Sequence, residues 1–306
     1  MSKSVGVEQP ASERPTRREH IPLGILYMIG ATLLFAGSSA VTKWLVETYP
    51  IGEVLFIRVF VSLVACSLII LPRRGFIVFR TRKLRDHALR GVSQATAQAF
   101  LVIAFTMMPL AGAVAINFSS PLFATLVSML VLKEEVGATR WAVLIVGFLG
   151  VLIVVHPGAD SVQLGSLFAL MNAVLFGSVT AAVRRMTVTE STETLTLYQM
   201  LFLTGAFALL LPLGFIMPTW AVAGLMVLNG LANALGQFWW TRSLHLAPTS
   251  AVAPFNYFTL VWAIILGFLI WNDAPTTSLL IGSGIVVGSG FFLLWRESRP
   301  KQAAGT

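Results

Sequence analysis

Charged residues are scarce in this chain. Asp, Glu, Lys and Arg make up 11% of its 306 residues, against about 25% in an ordinary soluble domain. Hydrophobic residues make up 56%, and the mean hydropathy is +0.82. A soluble fold of this size could not bury so much apolar surface. The composition therefore excludes a soluble protein and indicates one that is embedded in a lipid bilayer.

Residues that carry enzyme chemistry are also missing. The one cysteine, Cys66, lies in an apolar run, which excludes a disulfide framework and a cysteine metal cluster. The four histidines lie at the ends of apolar runs and show no metal-ligand spacing. No phosphate-binding loop of the G-x-x-x-x-G-K-[ST] type occurs, which excludes ATP hydrolysis by this chain. We therefore expect no cofactor, no metal and no enzymatic activity.

Acidic residues are absent from the middle of every apolar run. All 13 fall in tails, turns or helix ends, so we expect no embedded carboxylate to carry a coupling proton. The net charge of +8 comes from basic residues at the membrane edges, where they meet anionic lipid head groups rather than nucleic acid. The expected partners are the lipid bilayer and a small-molecule substrate, and a homodimer is an open alternative to a monomer.

Ten apolar runs divide the chain, each about long enough to cross the hydrocarbon core as a helix. We number them as spans 1 to 10, over residues 21–46, 53–71, 86–107, 111–132, 139–156, 164–185, 195–217, 219–242, 249–271 and 276–295. Nineteen of the 21 Lys and Arg residues lie in the tails, in the connections after spans 2, 4, 6 and 8, or at the span ends next to them. By the positive-inside rule, both termini are cytoplasmic. We expect a multi-pass protein of the cell (inner) membrane.

An internal repeat relates spans 1–5 to spans 6–10. The stretch Leu23-Gly24-Ile25-Leu26-Tyr27 matches Leu164-Gly165-Ser166-Leu167-Phe168. Polar positions repeat as well, at Gln94 and Gln98 of span 3 and at Asn233 and Gln237 of span 8. Because five is odd, the second copy enters the membrane from the opposite face. The predicted fold class is all-α integral membrane, with ten transmembrane helices in two inverted five-helix repeats, as in secondary transporters.

Several stretches together resemble one family. They are Pro121-Leu122-Phe123, Leu132-Lys133-Glu134-Glu135, Trp141, Gly147-Phe148-Leu149-Gly150-Val151, Ala253-Pro254-Phe255-Asn256-Tyr257 and the glycine-rich run 282–290. On these residues the chain resembles the EamA-type ten-helix permeases of the drug/metabolite transporter superfamily, over about residues 21–296. The resemblance implies two five-helix bundles around a central cavity and alternating access by rocking. It implies repeats at 21–156 and 164–296, between a cytoplasmic tail at 1–20, expected to be disordered, and another at 297–306.

Amide side chains follow one face of span 8. Asn229, Asn233 and Gln237 are spaced at i, i+4 and i+8, and Trp240 extends this face by a further turn. Such a stripe cannot face lipid, so it faces other helices or a watery cavity. The two glutamines of span 3 form a matching stripe. Both stripes are candidate substrate-binding residues, and hydrogen bonding between helices is the alternative.

Asparagine also occupies corresponding places in spans 4 and 9. Asn117 lies near Pro121, and Asn256 lies near Pro254. Such prolines free backbone carbonyls that a polar ligand can use. Both asparagines are therefore candidate substrate-binding residues, with a kink that serves packing alone as the alternative.

Two basic residues lie inside spans. Arg58 lies in span 2 and could attract a carboxylate or a phosphate of a substrate. The alternatives are that it extends outward to the membrane surface or pairs with Glu53 or Glu47. Lys43 lies nearer the end of span 1, and we expect it to pair with Glu47 at i+4.

Aromatic residues are frequent in spans 8 and 9. Trp240 and Tyr257 offer stacking surfaces for a flat ring or a cation, and core packing is the alternative. We therefore expect a secondary transporter that moves a small polar organic metabolite by alternating access. The stacking surfaces favour a solute with an aromatic or cationic part. Because the family that the chain resembles includes importers of riboflavin and S-adenosylmethionine, we expect a solute with a planar heterocycle of this kind. An exporter of amino acids, opines or drugs from the same superfamily is the alternative.

Overall fold

The computed structural model describes residues 20–120, 122–124, 126–127, 138–155, 160–186, 189–247 and 252–298. Within these residues the regular structure is helical, without a β-strand. The ten α-helices described are α1 (Ile21–Val46), α2 (Ile51–Arg74), α3 (Leu84–Met107), α4 (Leu110–Asn117), α5 (Ala138–Val155), α6 (Asp160–Met186), α7 (Thr192–Ala208), α8 (Trp220–Leu246), α9 (Phe258–Trp271) and α10 (Thr277–Ser298). Most of both predicted tails, together with Pro121 and the turn at 132–135, lies outside the described residues.

These helices correspond one to one with the ten predicted spans. Five of them are long and apolar enough to cross a bilayer, in the segments Ile21–Val46, Ile51–Phe79, Leu84–Met107, Thr192–Leu213 and Trp220–Ser243. The other five contain shorter apolar helical segments. The chain is an all-α integral membrane protein.

Local sequence explains several helix ends. Ser191 and Thr219 precede α7 and α8, and each side chain accepts a hydrogen bond from a backbone N–H of the first turn. Gly75 follows α2 with a φ of 65°, and Asn272 follows α9 with a φ of 57°. Glycine and asparagine adopt this left-handed conformation more readily than other residues, so they end the two helices.

Helix packing repeats when the two halves are exchanged. The contact of α1 with α8 has its counterpart in that of α6 with α3, and both are extensive. Likewise, α2 packs on α8 as α7 packs on α3, and α1 packs on α9 as α6 packs on α4. In each counterpart, every helix is replaced by the one that lies five places earlier or later in the chain. The packing therefore follows the two inverted five-helix repeats.

The packing units nevertheless differ from the two five-helix bundles that the resemblance implied. Helices α1, α2, α8 and α9 pack together as one group, which we call unit A, and α3, α4, α6 and α7 form unit B. The two units are joined most extensively by the contact of α2 with α7. Glycines explain why helices of opposite repeats come together. A Cβ atom on Gly91 of α3 would lie 2.3 Å from the Cβ of Phe202 in α7, and one on Gly230 of α8 would lie 2.6 Å from the Cβ of Val61 in α2.

Helices α5 and α10, which belong to neither unit, pack against each other. Their close approach at glycine can be tested by substitution. A Cβ atom on Gly282 would lie 2.7 Å from the carbonyl oxygen of Gly150, whereas one on Gly284 would meet open space. We expect Gly282→Ala to destabilise the protein by about 1–3 kcal/mol through overpacking. Gly284→Ala, the matched control, should leave stability unchanged. Thermal unfolding in detergent measures both, and equal melting temperatures for the two variants would contradict the packing.

Candidate functional site

Arg58 of α2 reaches across to unit B. Its Nη2 donates a hydrogen bond to Oε1 of Gln98 in α3 at 2.9 Å, and its Nη1 donates to Oγ1 of Thr42 in α1 at 3.2 Å. The Nε–H is buried and has no partner. A guanidinium has five N–H donors, so these two bonds leave it with donors that a ligand could use.

Thr42 connects this arginine to the amide stripe of α8. Oγ1 of Thr42 also accepts a hydrogen bond from Nδ2 of Asn229 at 3.1 Å, and Oδ1 of Asn229 accepts one from Ser38 at 2.6 Å. The side chain of Asn229 is buried between α1 and α8, and the residue is 3% exposed. Its amide therefore joins two helices of unit A.

Asn233, one turn further along α8, is connected to the same arginine through Ser62. Its Nδ2 donates to Oγ of Ser62 at 3.2 Å. The hydroxyl of Ser62 in turn lies 2.9 Å from the carbonyl oxygens of both Arg58 and Gly230. Asn233 is only partly buried. Four of the predicted site residues thus belong to one hydrogen-bonded group, which we call the arginine network: Arg58, Gln98, Asn229 and Asn233, together with Ser38, Thr42 and Ser62.

The other residues predicted on α3 and α8 lie outside this network. Gln94 is buried one turn before Gln98, with 4% of the residue exposed. Gln237 is partly buried. Trp240 packs in an apolar cluster that includes Met28 of α1 and Phe255. The structure therefore places Trp240 in a packing contact between α8 and α1.

Asn117 and Asn256 both lie where helical structure changes. Helix α4 ends at Asn117, and Asn256 lies in a short 3-10 helix, Ala253–Tyr257, that leads into α9. The residues that follow them, Phe118 and Tyr257, pack together with ring centroids 5.1 Å apart. Because α4 is in unit B and α9 is in unit A, these two breaks face each other across the units.

Asn172 is a partner that the sequence did not reveal. Its Nδ2 donates to Oδ1 of Asn117 at 2.7 Å, and the residue is 2% exposed. A single amide within the apolar run of span 6 was the available signal. The hydroxyls of Ser38, Thr42 and Ser62 were missed for a different reason, because short polar side chains are common in membrane helices.

Lys43 does not form the local pair that we predicted. Its Nζ donates to the carbonyl oxygen of Met108 at 2.9 Å and lies 3.9 Å from a carboxylate oxygen of Asp273. It also lies 4.9 Å from the ring centroid of Trp271. Glu47 instead accepts a hydrogen bond from Nε1 of Trp271 at 2.7 Å. We call these five residues the lysine cluster; long side chains allowed distant partners to replace the i+4 neighbour.

Glu53 is at a helix end, as expected, but it is fully buried. Its Oε2 accepts a hydrogen bond from the backbone N–H of Ile216 at 2.9 Å. The connection between α7 and α8 therefore covers this carboxylate. Arg58 turns towards Gln98 and Thr42, so neither Glu53 nor Glu47 is needed as its partner.

The cavities of the structure include an apolar groove and a polar pocket. The apolar groove of about 260 Å³ is lined by Ser119, Leu122, Phe123, Leu126, Trp141, Ile145, Phe148, Leu149 and Val151. The polar pocket of about 400 Å³ is lined by Lys83, Asp86, Leu89, Arg90, Ser93, Ser178, Val179, Ala182 and Met186. None of the ten predicted site residues lines either of these two cavities. In this conformation the arginine network is packed between helices.

The two halves of the chain match the same family model. The EamA-like transporter family matches residues 22–156 and again residues 163–295. The chain belongs to the EamA-like transporter family. The two matched segments are the two halves that the internal repeat relates, and the resemblance to the drug/metabolite transporter superfamily is confirmed.

Relatives of known function are similar over nearly the whole chain. A riboflavin transporter of Rhizobium johnstonii is 30% identical over 282 residues, which cover 90% of this chain and 92% of the relative. An S-adenosylmethionine uptake transporter of Rickettsia conorii is 24% identical over 287 residues, which cover 90% of this chain and 94% of the relative. A solved crystal structure shares the fold, with a TM-score of 0.59, 20% identity, and coverage of 90% of this chain and 99% of its own.

The arginine network predicts different effects for its two asparagines. Asn229→Leu leaves the buried hydroxyls of Ser38 and Thr42 without their amide partner, so we expect a loss of about 1–3 kcal/mol in stability. Asn233→Leu removes one hydrogen bond at a partly buried position, which is worth only about 0.6 kcal/mol within a membrane. Thermal unfolding in detergent should show the larger decrease for Asn229→Leu. A larger decrease for Asn233→Leu would contradict the assigned roles.

Proposed function

We propose that this protein is a secondary transporter that takes up a small polar metabolite bearing a planar heterocycle, riboflavin or S-adenosylmethionine. The observation that carries the proposal is the bond from Arg58 to Gln98. It joins the two packing units within the membrane and leaves N–H donors of the guanidinium unused. Similarity to riboflavin and S-adenosylmethionine transporters over nine-tenths of the chain supports the substrate class.

The side chains between units A and B suit such a solute. Amide groups of Gln98 and Asn233 can each donate and accept hydrogen bonds, as the polar edge of a heterocycle requires. The guanidinium of Arg58 can bind a carboxylate, and its flat face can stack on a ring. Tyr257 is the better placed of the two predicted stacking residues, because it lies at the contact between α9 and α4 whereas Trp240 packs against α1.

The remaining predicted site residues have supporting roles in this proposal. Asn117 and Asn256 lie at the facing helix breaks, so they can contact a substrate held between the units. Gln94 and Gln237 lie one turn away from network members on α3 and α8. Asn229 acts mainly by holding α8 against α1, which positions the rest of the network.

The lysine cluster supports a mechanism of alternating access. Lys43 of α1 belongs to unit A, and the carbonyl of Met108 belongs to the end of unit B. Their hydrogen bond ties the units together on the side where α1 ends. We propose that this tie closes the transporter on that side and breaks when the units rock apart. The repeats at 21–156 and 164–296 are thus units of sequence, whereas units A and B are the moving bodies.

The distribution of charge supports an orientation. Basic residues lie in the connection after α2 and in the last turn of α6, and they are absent from the connections after α1, α3, α7 and α9. We propose that both termini face the cytoplasm and that the protein resides in the cytoplasmic (inner) membrane. The lysine cluster then lies at the outer surface, so the described conformation is closed to the outside.

Uptake into membrane vesicles tests the proposed substrate class. Vesicles containing the protein should accumulate labelled riboflavin or labelled S-adenosylmethionine above the level of vesicles without it. A panel of amino acids provides the comparison. Accumulation of amino acids alone, or faster efflux than uptake for every solute, would favour an exporter and contradict the proposal.

Replacing Arg58 should reveal which part of the substrate it binds. S-adenosylmethionine carries a carboxylate and riboflavin carries none. Arg58→Gln should therefore raise the KM for S-adenosylmethionine by about tenfold, because one charge-assisted hydrogen bond is lost. The KM for riboflavin should rise by much less. Arg242→Gln, at an exposed position near the end of α8, is the matched control. An unchanged KM for S-adenosylmethionine in the Arg58 variant would exclude the arginine from the carboxylate site.

A further inference from the structure

The polar pocket of about 400 Å³ lies between α3 and α6. Both helices belong to unit B, so the pocket lies within one packing unit and away from the interface of Arg58 with Gln98. It is next to the most basic connection of the chain, where seven Lys and Arg residues fall between residues 73 and 90. In the orientation proposed above, this is the cytoplasmic edge of the membrane.

The pocket presents opposite charges side by side. Nζ of Lys83 donates one hydrogen bond, to Thr189 at 2.9 Å, and an ammonium has two further N–H donors. Lys83 immediately precedes α3, and Asp86 lies in the first turn of that helix and is exposed. Arg90 lines the pocket from inside, where its guanidinium is held by the carbonyl of Leu195 and by Gln199. A ligand that fits both charges must itself be zwitterionic.

One side of the pocket is open towards lipid. Leu89 lines it and is 59% exposed, and Val92 on the neighbouring turn is 57% exposed. On the facing helix, Ala182 lines the pocket and is exposed, whereas Val179 and Met186 form a buried apolar floor. A lipid requires polar groups for its head group and an adjoining apolar surface for its acyl chains, and the pocket offers both.

The inverted repeat shows that the fold itself does not demand such a pocket. The match of Gln94 with Asn233 places Lys83 opposite Val222 and Asp86 opposite Leu225 in the second repeat. In unit A, Val222 and Leu225 pack with Leu45 in an apolar cluster. The equivalent position in unit A is filled with apolar side chains, whereas the one in unit B is hollow and charged.

We propose that this pocket binds the head group of an aminophospholipid, phosphatidylethanolamine, from the inner leaflet. Lys83 binds the phosphate, with the charge of Arg90 behind it, and Asp86 binds the ammonium group. The acyl chains follow Leu89 and Val92. An anionic lipid such as phosphatidylglycerol meets the carboxylate of Asp86 without a compensating cation, and phosphatidylcholine has no N–H to donate to it. The pocket therefore selects phosphatidylethanolamine over both.

Native mass spectrometry of the purified full-length protein tests this site independently of transport. The probes are phosphatidylethanolamine, phosphatidylglycerol and phosphatidylcholine, each added separately, with inorganic phosphate as a competitor. We expect wild type to bind phosphatidylethanolamine about threefold more tightly than the other two lipids, as one partly exposed ion pair allows. Asp86→Asn should abolish this preference, and Lys83→Met should weaken the binding of all three lipids. Arg85→Gln, an exposed neighbour, should change neither.

Three results would overturn the proposal. If Asp86→Asn still preferred phosphatidylethanolamine, Asp86 would not be the group that binds the ammonium. If wild type bound all three lipids equally, the binding would be a nonspecific attraction to the basic edge. Displacement of the lipid by millimolar inorganic phosphate would identify a site for free anions instead. Melting temperatures of the variants distinguish loss of binding from loss of fold, and Asp86→Asn retains the size of the side chain.

Discussion

The hydrogen bonds of Arg58 are the constraint on which the central packing depends. An arginine within a membrane helix is unfavourable by about 3 kcal/mol at the centre of the span and must find partners. Here the partners come from α1 and α3, and the carbonyl of the same residue accepts a hydrogen bond from Ser62. Ser62 in turn contacts α8 through Gly230. Helices from both repeats are thereby held around one charged group, at the boundary between the two packing units.

This boundary explains how a repeat in sequence can become a transporter. Each repeat contributes two helices to each unit, so neither half of the chain forms a packing unit alone. Contacts within a unit rest on close helix approach at glycines and on amides such as Asn229. The contacts between units described above include the bond to Gln98, the ring contact of Phe118 with Tyr257, and the lysine cluster. They lie beside an extensive apolar contact of α2 with α7, which also crosses the boundary. The rocking proposed above would remake all of these contacts together.

The sequence predicted the ten helices because apolar length is nearly sufficient evidence in a membrane protein. It also predicted Gln98 and Asn233 from helical spacing, but it could not pair them with Arg58, since spacing shows the face of a helix and not its neighbour. Asn172 and the hydroxyl of Thr42 gave too weak a signal. Helical spacing predicts Glu47 as the partner of Lys43, because the sequence does not show the fold that brings Met108 and Asp273 close. The crossing of helices between repeats likewise depends on distant contacts.

The central claim is that units A and B separate at the end where Lys43 binds Met108. Spin labels on cysteines at Thr48, after α1, and Met107, at the end of α3, would report this distance by double electron–electron resonance; both positions are exposed. The account predicts a short distance in the resting protein. It also predicts a second, longer population when transported substrate is added or when Lys43 is replaced by Met. One unchanged distance in all three conditions would contradict it.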